Sequence, residues 1–134
     1  MGTQQILLIA VGVVIIGIMI AVGLFMFRDQ AAATARDSIS NDLVALATVS
    51  QKYYRRPTTF GGGGNSFGGL TMSKLTTKPY NANGYYVLTP PIGPASATFI
   101  TITGTGTELG NDGILPVKLT MTVMADSILL VTTN

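Results

Sequence analysis

The chain has 134 residues, a net charge of +2, and no Cys, His or Trp. Hydrophobic residues make up 47% of it and charged residues only 10%, against about 25% in an ordinary soluble domain. Thiol nucleophiles, disulfides, Fe–S clusters, His-ligated metals and Ser-His-Asp triads are thereby excluded. The one Glu and five Asp are scattered, with no pair at a spacing that implies a shared site, so neither an enzyme nor a cofactor is expected. An excess of two positive charges gives no argument for a nucleic-acid partner.

Charge is absent from one end. All fourteen Asp, Glu, Lys and Arg residues lie between Arg28 and Asp126. Residues 6–27 form an unbroken apolar run without a charged or amide side chain. As a helix it spans about 33 Å, roughly the hydrocarbon thickness of a bilayer. A cleaved secretory signal fits poorly, because no basic residue precedes the run, its core is too long, and no A-x-A site closes it. Gly12, Gly17 and Gly23 interrupt the run, but no Pro does. Ala10, Gly17 and Ala21 share a helical face, and Gly17-xxx-Ala21 is a small-xxx-small pair that lets helices approach closely.

No Gly or Pro occurs from residue 28 to Pro57, and Ile39, Leu43, Leu46, Ser50 and Tyr53 recur at helical spacing. One continuous helix over about residues 3–56 is expected, apolar all round in its first half and amphipathic in its second. Lys52, Arg55 and Arg56 crowd its last turn, where cations meet the negative end of the helix dipole. Pro57 disfavours helix at Arg56 and ends it.

Residues 57–84 are rich in Gly, Thr, Asn and Ser and read as a loop. Gly61-Gly62-Gly63-Gly64-Asn65-Ser66 lacks the Lys of a phosphate-binding loop and reads as a flexible turn, with Phe60, Phe67 and Leu70 as anchors to the core. Asn83-Gly84 marks a turn. Beyond it the apolar period becomes two. Strands are expected at 85–88, 99–103, 115–124 and 128–131, forming an antiparallel sheet. Leu119, Met121 and Val123 then face the Ile39, Leu43, Leu46 and Tyr53 stripe. The opposite face carries Thr101, Thr103, Thr120 and Thr122, which strand propensity favours and which are also candidate O-glycosylation positions. The expected fold class is α+β. The expected organisation is an apolar helix over 1–27 followed by a headgroup over 28–134: an amphipathic helix (28–56), a Gly-rich loop (57–84) and a β-sheet (85–134).

This layout resembles a mature type IV pilin: Met1-Gly2-Thr3-Gln4-Gln5, then the apolar run, then an amphipathic helix and a four-stranded sheet. The resemblance implies that Met1 is exposed by leader cleavage and N-methylated, and that Met1, Thr3, Gln4 and Gln5 act in assembly near the N-terminus. It also implies that Ile6, Leu8, Ile9, Val13, Ile16, Gly17, Ile20, Ala21 and Leu24 pack in the core of an extracellular helical filament. The implied partners are other copies of the chain, prepilin peptidase and the inner-membrane assembly machinery, with membrane lipid around the helix before assembly. Two features depart from the family. Gln5 stands where pilins usually carry a Glu that neutralises a neighbour's N-terminal ammonium, and an amide can accept a hydrogen bond but cannot cancel that charge. The apolar helix also lacks the usual Pro.

Arg28 and Arg36 follow the span with no side-chain cation before it, which favours a C-terminus on the inner side. A basic leader on a longer precursor restores the outward orientation. The alternatives are a non-polymerising single-pass membrane protein and a minor pseudopilin of a secretion system. The aromatics Phe25, Phe27, Tyr53 and Tyr54 are read as packing residues.

Overall fold

The structure, a computed structural model, describes residues 2–134. Helix α1 runs Gly2–Arg55, as the uninterrupted helical pattern predicts. The chain divides into two compact units, one ending at Ala31 and the other covering Ala32–Asn134.

The first unit is helix alone. From Thr3 to Gln30 every residue is exposed except the half-buried Gly12. Its large apolar side chains, from Ile6 to Phe27, keep 46% to 74% of their surface. A stretch within α1 is thus long and apolar enough to cross a membrane, and none of it is buried.

The second unit packs the remainder of α1 against an antiparallel sheet in the order β1-β2-β3-β4. The strands are β1 Gly84–Thr89, β2 Phe99–Leu109, β3 Pro116–Met124 and β4 Ile128–Thr132. Two short elements precede them: a 3-10 turn at Thr58–Phe60 and helix α2 at Met72–Leu75. The unit is therefore α+β. Its core joins Ile39, Leu43, Leu46 and Ala47 of α1 to Tyr86, Leu88, Ile100, Ile102, Val117, Leu119, Met121 and Val123 of the sheet. Ser50, on the same stripe, is fully buried and donates from Oγ to the Leu46 carbonyl at 2.9 Å, which satisfies it inside the helix.

Strand β2 is longer than the expected 99–103. Gly104 and Gly106 continue it on the core-facing side. A Cβ on Gly104 would lie 2.6 Å from Ile39 Cγ2, and one on Gly106 would lie 2.8 Å from Ile39 Cδ1. The glycines make room for the helix, a close approach of the kind that places Gly in a strand interior. At the other end of β2 an irregular register between Thr105 and Leu109 precedes the turn to β3.

The loop from 57 to 84 also differs from expectation. Phe67 and Leu70 are fully buried anchors, whereas Phe60 is 75% exposed and anchors nothing. The Gly-rich segment is a helix cap and not a free turn. The N–H groups of Gly63, Asn65 and Gly64 donate to the carbonyls of Tyr53, Tyr54 and Arg56 at 2.8, 2.8 and 2.9 Å. Helix ends leave such carbonyls without partners, and here the following chain supplies them. The tight fold explains the residue type. A Cβ on Gly62 would meet the Arg56 carbonyl, and one on Gly63 would meet the Ser66 carbonyl.

Candidate assembly surface

The N-terminal residues singled out by sequence lie on the first turns of α1. Thr3, Gln4 and Gln5 are helical and exposed, and no acidic residue stands in that first turn. The positive end of the helix dipole is therefore not met by a carboxylate. Met1 lies outside the described residues.

Further along, Ile6, Ile9, Val13, Ile16, Ile20 and Leu24 fall along one helical stripe by spacing, and Leu8 falls on a different face. Gly17 and Ala21 lie next to that stripe. Apart from the chain neighbours and the helix's own nearby backbone, no heavy atom comes within 4 Å of the position a Cβ would take on Gly12, Gly17 or Gly23. These small residues open shallow notches in an otherwise bulky surface, and Gly17 and Gly23 are exposed there. Such a surface cannot stand in water. Exposing one large aliphatic side chain costs about 1.5–3 kcal/mol relative to burying it, and this helix carries more than a dozen. Lipid or other apolar helices can cover it, because both match its polarity.

In the second unit, the residues chosen for helix-to-sheet packing are brought together. Ile39, Leu43, Leu46, Leu119, Met121 and Val123 are buried in one cluster. Tyr53 is half-buried against it and donates its hydroxyl to the Gly68 carbonyl at 2.8 Å. Tyr54 packs its ring against Phe67 at 4.8 Å, so both tyrosines are packing residues. The threonines lie on the opposite face, half-exposed, with Thr101 across from Thr122 and Thr103 across from Thr120.

Sequence reasoning missed the polar lock of this unit. Asp42 stands on the amphipathic helix between Ile39 and Leu46. Its Oδ2 accepts hydrogen bonds from Asn81 Nδ2 at 2.9 Å, from Asn83 Nδ2 at 2.8 Å and from the Tyr86 hydroxyl. Asn81 Oδ1 in turn accepts from the N–H groups of Asn83 and Gly84, forming the turn that opens β1. Burial alone would raise the Asp42 carboxyl, but the donors from Tyr86, Asn83 and Asn81 outweigh it and hold it below its ordinary value. Burial and the Asp42 charge both push the Tyr86 hydroxyl upward. The signal in the sequence was a lone charge set against the apolar stripe.

A second carboxylate closes the β2–β3 turn. Asp112 Oδ1 accepts the N–H groups of Ile114 and Leu115, each at 2.9 Å, and these bonds hold its carboxyl below the ordinary range. The ion pair between Arg55 and Asp126, at 3.4 Å, is exposed on both sides and contributes little. No cluster of acidic side chains able to hold a metal occurs among the described residues.

Comparison with protein-family models, with curated proteins and with solved structures returned no match to this chain.

Proposed function

We propose that the chain is the structural subunit of an extracellular helical filament of the type IV pilin kind, polymerising through its apolar N-terminal helix. The observation that carries this reading is the first unit: a helix apolar on every side, its large side chains exposed from Ile6 to Phe27, in a chain whose second unit is a packed α+β body. Before assembly, lipid covers that helix in the cytoplasmic membrane. Prepilin peptidase then frees Met1, and the assembly machinery moves the helix from lipid into contact with copies of itself. Both environments are apolar, so the transfer avoids the cost of exposure to water. Identical subunits joined through a non-closing contact generate a fibre. The packed unit is then the surface on which adhesion, motility or attachment would depend.

Gln5 shapes the assembly step. In this filament the N-terminal ammonium of a neighbour meets an amide oxygen in place of a carboxylate, so axial register rests more on side-chain packing than on charge.

Fractionation with mass analysis tests the reading. The chain is expected in the material sheared from cells, at the mass of a processed and N-methylated Met1. Recovery solely from detergent extracts of membranes, with an unprocessed N-terminus, would favour a single-pass membrane protein that does not polymerise.

A further inference from the structure

The second unit also holds a concentration of positive charge. Between Asp42 and Glu108 the chain carries five cations, Lys52, Arg55, Arg56, Lys74 and Lys78, and no acidic residue. Three of them converge. A surface pocket of about 300 Å³ is lined by Val49, Lys52, Tyr53 and Arg56 of α1 and its end, Gly61 of the cap, and Lys74 of α2. Lys74 is fixed in place: its Nζ donates to the Gly69 carbonyl at 2.9 Å and sits 5.2 Å from the centre of the Tyr53 ring. Lys52 and Arg56 make no side-chain hydrogen bond or ion pair among the described residues.

The helix dipole does not account for this arrangement. The carbonyls at the end of α1 are already taken. Lys52 O accepts from Arg56 N, and Tyr53, Tyr54 and Arg56 accept from the Gly-rich cap. Lys74 belongs to another element altogether. Three like charges around one concavity repel each other, and an anion seated among them relieves that repulsion.

We propose that this pocket binds a phosphate monoester group. A phosphate monoester brings close to two negative charges and three acceptor oxygens, whereas a sulfate ester brings one charge. The Arg56 fork suits two of those oxygens, and two lysine ammoniums add point charges. The concave shape and the small number of cations fit one such group better than a nucleic-acid duplex. Arg55 turns instead to Asp126, and Lys78 lines a different pocket beside Asp42. The group arrives on a soluble molecule or on a lipid headgroup, and the chemistry of recognition is shared.

Titration of the isotope-labelled full chain in neutral detergent micelles, followed by NMR, tests the site. Inorganic phosphate is the soluble probe, and phosphatidic acid doped into the micelles is the lipid probe. Saturable shifts confined to Lys52, Arg56, Gly61 and Lys74 with either probe support the site, and the responding probe names the source. K52Q and K74Q are each expected to weaken binding about tenfold, the loss of one charge-assisted hydrogen bond. R55Q is expected to leave it within about twofold, because an exposed charge outside the pocket is screened by salt. Equal weakening by R55Q, or shifts spread over Lys78 and Lys118, would overturn the proposal in favour of diffuse attraction. So would a saturable response only to a short DNA duplex, or no saturable response to any probe.

Discussion

The Tyr86 hydroxyl of β1 donates a hydrogen bond to the Asp42 carboxylate of α1, and Asn81 and Asn83 add two more to the same oxygen. One charged residue thereby fixes the first strand and its preceding turn to the helix. A hydrogen bond to a charged group contributes about 1.5–3 kcal/mol, so Tyr86→Phe is expected to lower unfolding free energy by that amount at neutral pH. Denaturant unfolding of the full chain in neutral detergent, followed by tyrosine fluorescence, reads the change.

The same pair makes stability depend on pH at both ends. The Asp42 carboxyl titrates below its ordinary value of 3.8 when folded, so its contribution is present above about pH 4 and is lost as pH falls through the folded value. The Tyr86 hydroxyl titrates above its ordinary value of 10.0 when folded. Its contribution is complete below pH 10 and is lost as pH rises through the folded value. Stability of the native chain is thus expected to fall below pH 4 and above pH 10. Tyr86→Phe is expected to flatten both slopes, as measured by unfolding midpoints across pH.

Close approach of helix and sheet at Gly104 gives a packing test. Gly104→Ala places a methyl 2.6 Å from Ile39 Cγ2 and 3.0 Å from the Tyr86 ring. Overpacking of this kind costs about 1–3 kcal/mol. Ile39→Ala removes the clash at the expense of its own cavity, about 2–5 kcal/mol. The double variant is expected to lose less than the two single losses added, and strict additivity would show that the glycine does not serve this contact.

The cap predicts an ordering among glycines. Gly63→Ala has no space, since a Cβ there meets the Ser66 carbonyl, whereas a Cβ on Gly61 meets nothing within 4 Å. Gly61 pays only for its φ of +76°, about 1 kcal/mol for alanine. Gly63→Ala is therefore expected to be the more destabilising, and amide exchange at Gly63, Gly64 and Asn65 is expected to speed up in that variant.

Much of this architecture was legible because it depends on local patterns. The apolar run from Ile6 to Phe27 and the Ile39/Leu43/Leu46 stripe declare a helix by period, and Leu119, Met121 and Val123 declare a strand. What escaped depends on distant partners. Gly104 and Gly106 look like strand breakers until Ile39 is opposite them. Asp42 looks like a solvated charge until Asn81, Asn83 and Tyr86 are folded over it. The four glycines after Phe60 look like slack chain, and only the carbonyls at the end of α1 give them a task. Phe60 is the converse case: its size implies burial, but it lies exposed in the 3-10 turn. The apolar surface of the first unit was legible as a surface, and its side chains stay exposed from Ile6 to Phe27.

Gly17 tests how that surface is covered. It has open space around it within its own unit, so Gly17→Ile is expected to leave unfolding of the Ala32–Asn134 unit unchanged while reducing fibre yield. Quantifying sheared material against total chain reads the yield.

The central claim, that copies of this chain polymerise through the apolar helix, is met most directly by negative-stain microscopy of material sheared from cells producing it. The account predicts thin, uniform fibres with this chain as their main component. Discrete particles in detergent, with no fibre in the sheared fraction, would contradict it.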